Sequence, residues 1–264
     1  MDRQFNGYVS AVLLIAALAS VPAINAADVV SNYDIGPRIG ADVVVGFQLM
    51  AGGETIEDSN VITTESTMAM SIPRLTLSWG LGTRLFHFEP SVHIGRLASA
   101  ELTGGKLLVP LQPSGVIGDY SSSAYGGGLD IRFKLTDTRI GFGLNFDLMQ
   151  GSGTAKSWLD SAPDAKTELD AEFSILELGI VVDYNDPNFR PWVQAGIKFI
   201  SNEFYNKPRD PALDFRVNSK DIYGFRAGLD IRHLLDSGFD LQIFFGYYGG
   251  LDFGIGTHYR FDLG

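Results

Sequence analysis

From about residue 36 onward, apolar and polar residues alternate with a period of two. In the last such run, Leu251, Phe253, Ile255, Thr257, Tyr259 and Phe261 share one face. Asp252, Gly254, Gly256, His258 and Arg260 share the other. Successive side chains of a strand point to opposite faces, so each run predicts a strand with one apolar side. The same split sets Ile140, Phe142, Leu144, Phe146 and Leu148 against Gly141, Gly143, Asn145 and Asp147. It sets Tyr223, Phe225, Ala227, Leu229 and Ile231 against Gly224, Arg226, Gly228, Asp230 and Arg232. The predicted strands are about 38–49, 70–80, 85–98, 123–135, 139–150, 172–184, 190–201, 221–233, 239–248 and 251–261. Pro73 and Pro90 interrupt the segment 60–104, which leaves eight strands as the competing count to ten.

The connections alternate in length. Tight turns are predicted near Gly82, Thr136–Thr138, Asn185–Asn188 and Asp236–Gly238. Longer polar loops are predicted over about 50–69, 99–122, 151–171 and 202–220, with Gly249–Gly250 a short turn on the same side. Short turns at one end and long loops at the other mark an outer-membrane barrel. The pentapeptide Gly-Leu-Asp-Ile-Arg occurs at 128–132 and again at 228–232, each time just before a tight turn. So short an echo fits a duplicated hairpin less well than shared barrel geometry.

The polar face carries Arg38, Asp42, Arg74, Asp130, Arg132, Asp147, Glu177, Lys198, Arg226, Asp230, Arg232, Asp240, Asp252 and Arg260, with acids and bases near balance. A soluble sandwich or secreted barrel would turn its apolar face inward and its charges out. A membrane barrel inverts this: the apolar face meets lipid and the charges pair in the lumen. Aromatic residues also gather toward both strand ends, as two interfacial belts would require. The fold class is therefore all-β: a single antiparallel, up-and-down transmembrane β-barrel over 38–264, with 27–37 a short segment before it.

Residues 1–26 read as an export signal. Arg3 precedes the apolar run Ala11–Ala19, Pro22 breaks it, and Ala23 to Ala26 offer small residues for cleavage. The run is too short for a spanning helix of ~20 residues.

Composition narrows the function classes. The chain has no Cys, which excludes a disulfide scaffold, a thiolate metal site and a Cys nucleophile. A net charge of -11 argues against a nucleic-acid partner, which needs a basic face. No metal-ligand spacing and no cofactor motif is present. Among the four His, His87 and His233 lie at tight turns and His258 sits low on the polar face. Ser91 and His93 share a face but have no orienting acid at recognisable spacing, so no catalytic residues are assigned. Glu54, Glu57, Asp58 and Glu65 make the first long loop acidic, and Asp210, Asp214 and Asp221 read as solvated loop acids. Phe204 and Tyr205 read as aromatics at the membrane interface.

From about residue 36 to its end, the chain resembles the small outer-membrane β-barrels of Gram-negative bacteria, of the OmpA-transmembrane, OmpX and opacity-protein type within the porin-like superfamily. The more specific likeness is in the last strand. Ile255, Thr257, Tyr259 and Phe261 are similar to the family's alternating, aromatic-terminated signal for the barrel-assembly machinery. Asp262, Leu263 and Gly264 follow, where the family's aromatic usually ends the chain. The resemblance implies partners in outer-membrane lipid, lipopolysaccharide and that machinery during biogenesis, and it does not identify an extracellular ligand. The expected function is a structural or surface-interaction barrel, not an enzyme, with its lumen largely filled by paired charges. The alternatives are a narrow diffusion porin for small polar solutes and an outer-membrane enzyme acting on lipid A or surface peptides.

Overall fold

The structure is a computed structural model that describes residues 35–51, 54–56, 65–83, 85–103, 115–135, 138–159, 162–186, 188–207, 214–234 and 238–261. The segment 1–26, most of 27–37, Glu57, Asp58 and Asp210 lie outside the described residues. The strands are β1 (Gly36–Met50), β2 (Glu54–Thr55), β3 (Ser66–Gly82), β4 (Phe86–Thr103), β5 (Gly115–Lys134), β6 (Ile140–Leu159), β7 (Ala162–Tyr184), β8 (Phe189–Asn206), β9 (Phe215–Asn218), β10 (Tyr223–Leu234), β11 (Phe239–Tyr247) and β12 (Gly250–Arg260).

Ten of these close into an antiparallel ring. Each strand pairs with its chain neighbour from β3 to β8, β8 continues to β10, β11 and β12, and β12 returns to β1. The chain is thus an all-β, up-and-down barrel that begins at Gly36. Closure satisfies the backbone groups that an open sheet would leave unpaired.

The ring does not keep ten strands along its length. β11 and β12 are short and join at Tyr248–Gly249, where Gly249 takes a φ of 66°, a conformation glycine adopts without strain. Above this tip β1 changes partner. Met50 bridges Ser219, the Lys220 N–H donates to the Leu49 carbonyl, and the Ala51 N–H donates to the Asn218 carbonyl. β2 continues this pairing, with Glu54 opposite Arg216 and Thr55 opposite Phe215. The barrel is therefore ten-stranded at its turn end. At its loop end it is eight-stranded: β1 with β2, β3, β4, β5, β6, β7, β8 and β9. The ring itself has ten strands, with Pro73 inside β3 and Pro90 inside β4, so the prolines do not reduce the count.

Much of what reads as long loop is strand. β4 runs to Thr103, β5 starts at Gly115, β6 and β7 cover most of 151–171, and β8 with β9 cover much of 202–220. The alternation persists there with reversed polarity. On β7 the outward positions Tyr184, Val182, Ile180 and Leu178 give way to Glu172, Asp170 and Glu168. The inward positions run from Asp183 and Glu177 to Phe173, Ala171 and Leu169. The turn half is apolar outside and polar inside, and the loop half is polar outside and apolar inside. A search for charge-free strand faces stops where the two patterns cross.

Candidate functional site

The lumen is the one feature built by every strand of the ring, and it is layered. Near the turn end is a polar chamber of about 160 Å³. Arg38 reaches Glu89 at 3.5 Å, and Glu89 also accepts from Ser78 at 2.6 Å. Arg132 bonds Asp130 at 2.6 Å and approaches Asp183 at 3.9 Å. Arg260 pairs with Asp240 at 2.9 Å, and Arg232 donates to the Asp186 carbonyl at 3.2 Å. Asp230 collects Arg190 at 2.5 Å and the Trp192 and Gln242 side-chain N–H groups at 3.0 Å each. Arg190, Trp192 and Gln242 are absent from the sequence-predicted set. Arg190 and Trp192 share the inward parity of Lys198 on β8, which is the signal that finds them.

A second layer closes the chamber from above. Arg74 bridges Asp42 at 2.7 Å and Asp147 at 2.9 Å. Arg226 grips Glu177 through two hydrogen bonds, of 2.7 and 2.9 Å, and reaches Asp252 at 2.6 Å. Lys198 completes the set, 2.9 Å from Asp252. Two charges held by fork geometry gain more than a single contact, and buried charges need such full pairing. Gln194 donates to Glu177 at 2.7 Å, and Gly179 beside it leaves the room its side chain occupies. Tyr248, fully buried, folds in from the β11–β12 tip, and its backbone carbonyl accepts from the Gln48 amide. Arg226 lies 4.5 Å from the centre of the Phe244 ring, within cation–π range.

The third layer is apolar. Met50, Met68, Met70, Leu97, Ile117, Met149, Leu169, Phe173, Ile200, Phe204 and Val217 are buried together and fill the eight-stranded loop half. Phe204 stacks on Phe215 at 5.1 Å and meets Tyr120 edge-on at 5.7 Å. Eight strands leave an interior just wide enough for side chains to fill. Three sequence expectations are corrected here. Paired charges fill only the turn half, and Phe204 is a core residue rather than an interface aromatic. Tyr205, of opposite parity, bonds Glu203 at 2.6 Å. Asp214 is buried rather than solvated and accepts from the Asn206 N–H at 3.0 Å.

Every sequence-predicted lumen charge lies on the inward parity of its strand, whereas Ile255, Thr257, Tyr259 and Phe261 point outward. Outside the loop half, Lys166 reaches Asp119 at 3.0 Å, and that hydrogen bond holds the Asp119 carboxyl below its ordinary range. Lys207 pairs with Asp170 and Lys220 with Glu65, pairs whose exposure makes them worth little to stability.

His93 does find an acid, but not in a relay. Asp147 lies 3.1 Å from its Nε2, Ser91 lies 3.4 Å from the same nitrogen, and Thr76 lies 3.0 Å from Nδ1. A proton relay needs the nucleophile and the acid on opposite ring nitrogens. Here Asp147 and Ser91 lie on the same ring nitrogen and only the Thr76 hydroxyl lies on the other, so the three do not line up as a relay. No group of three or more His, Asp or Glu side chains among the described residues has the geometry to hold a metal ion.

No protein-family model matches the chain, and no curated protein matches its sequence. Among solved structures, the translocator domain of the autotransporter NalP from Neisseria meningitidis is similar at 14% identity and a TM-score of 0.48, covering 97% of this chain and 96% of its own. The outer membrane protease OmpT from Escherichia coli is similar at 11% identity and a TM-score of 0.47, covering 88% and 100%. The Ralstonia pickettii toluene transporter TbuX is similar at 11% identity and a TM-score of 0.39, covering 87% and 90%.

Proposed function

We propose that this chain is an outer-membrane β-barrel with a structural or surface-contact role, closed to solute flow. The apolar outer band supports the membrane reading. Ile94 is 61% exposed, Ile180 63% and Phe245 53%, and residues of this kind surround the turn half. Soluble monomers rarely expose contiguous apolar patches above a few hundred Å². β11 and β12, which carry only that band, have 9 and 11 residues, the length of a tilted transmembrane strand. In this reading the loop half stands beyond the bilayer as a polar-coated, apolar-cored barrel available for contact at the cell surface.

The observation that carries the closed reading is the apolar core stacked on the ion-pair layer. A diffusion path for polar solutes needs water along its length; here the polar chamber ends at Arg74, a smaller cavity of about 50 Å³ lies between Arg226 and the side chains of Met70 and Met149, and the apolar core stands beyond it. We read the barrel as non-catalytic too, because Ser91 and Asp147 compete for one nitrogen of His93. The test is planar-bilayer recording on the reconstituted chain. A closed barrel gives small conductance or none. Large, steady single-channel steps would favour the porin alternative instead.

A further inference from the structure

The lipid-facing band is not uniform. Over β5 to β11 its outward positions carry bulky groups such as Phe142, Phe146, Leu178, Ile180, Phe225 and Phe245. Across β12, β1, β3 and β4 they include Ala41, Val43, Pro73 and Thr257, and a groove of about 650 Å³ lies over them, bordered by Leu75 and Ile94. Its lining is mostly apolar; Asp42 and Arg74 border it but face inward and pair with each other, which leaves Arg96 as its outward-facing charge.

Arg96 is the first charged outward residue on β4 above Phe86, Phe88, Pro90, Val92 and Ile94, which places it where the apolar band ends. It lies beside a β-bulge. The pairing of β4 with β3 slips by one residue between Gly95 and Ser99, and its pairing with β5 slips between Leu97 and Ala100. A bulge twists a strand locally and re-aims its side chains. The guanidinium donates from Nε and Nη2 to the Ser121 hydroxyl at 3.1 and 2.7 Å. Among the described residues it has no carboxylate partner within salt-bridge distance. An exposed, planar fork of donors tethered to a hydroxyl, at the edge of an apolar groove, suits a phosphate above an acyl chain. Asp119 and Glu101 line a second recess above, and Lys166 and Lys156 offset the Asp119 charge.

We infer that this face binds a phosphate-bearing lipid of the surrounding leaflet, its phosphate on Arg96 and its chain along the Ala41–Val43–Pro73 groove. The inference rests on the membrane reading above. The test uses the full barrel in detergent and native mass spectrometry, with phosphatidic acid and diacylglycerol of matched chains as probes. The wild type is expected to retain phosphatidic acid over diacylglycerol. Arg96→Gln is expected to lose about tenfold of that preference, the loss of one charge-assisted hydrogen-bond set. Ala41→Phe, which fills the groove from an outward position, is expected to weaken both lipids, whereas Val193→Phe on the far side is expected to change neither. Equal retention of the two probes by the wild type, or an unchanged preference in Arg96→Gln, would overturn the site. Heat-modifiable gel mobility, read on the same samples, separates this failure from that of the membrane reading. A barrel that shifts on boiling but shows no preference overturns only the lipid site, and a chain that stays monodisperse without detergent overturns both.

Discussion

Arg226 and Glu177 face each other in the lumen with Nη1 2.7 Å from Oε1 and Nη2 2.9 Å from Oε2. Two residues along the same face of β7, Ile175 packs against the apolar core. The pair therefore forms part of the floor on which that core rests, and Arg226 also answers Asp252. Arg226→Met leaves two acids short of a partner. Its expected cost is about 3–5 kcal/mol, the usual penalty for breaking a buried ion pair from one side. Urea unfolding in lipid vesicles measures it. Adding Glu177→Gln to Arg226→Met is expected to return part of the loss, and a double variant worse than the single would argue against direct pairing.

Phe204 tests the loop-half core. It is 1% exposed and joins Tyr120 to Phe215. Phe204→Ala opens a cavity and is expected to cost about 3–5 kcal/mol. Tyr205→Ala, one residue on and outward-facing, is expected to cost well under half of that. Equal costs would mean that the two faces of β8 are not distinct at this height.

Phe261 and Tyr259 meet edge-on at 5.2 Å, and Tyr259 continues to Phe239 on the adjacent strand at 5.0 Å. These rings sit outside, clear of the lumen. Phe261→Ala is expected to lower the yield of folded barrel in the outer membrane several-fold while leaving the stability of the protein that does fold nearly unchanged. Quantifying the heat-modifiable band against total chain checks this. A normal yield would remove Phe261 from the assembly signal.

The turn half was legible because its two-residue period aligns with polarity: Ile140 to Leu148 outward, Gly141 to Asp147 inward. The loop half was not, although the same period continues. Phe173, Ala171 and Leu169 are inward there and Glu172, Asp170 and Glu168 outward, so the rule that apolar means lipid-facing fails at the crossing. The lumen charges followed from parity alone, but their partners did not. Asp42 to Arg74 and Glu177 to Arg226 depend on register and on which strands adjoin, and neither is written in one chain. Arg190 shares the inward parity of Lys198 on β8 and was within reach of the same rule. The meeting of His93 with Asp147 joins β4 to β6 across β5, a relation with no sequence spacing to betray it.

The crossing of polarity along β7 is the central claim, and a chain without cysteine allows it to be measured site by site. Spin labels placed by Leu178→Cys, Ile180→Cys, Glu172→Cys and Glu168→Cys in vesicle-reconstituted barrel report collisions with oxygen, which concentrates in lipid, and with a water-soluble nickel complex. Labels at 178 and 180 are expected to meet oxygen and exclude nickel, and labels at 168 and 172 to do the reverse. Nickel reaching 178 and 180 as freely as 172 would contradict the account.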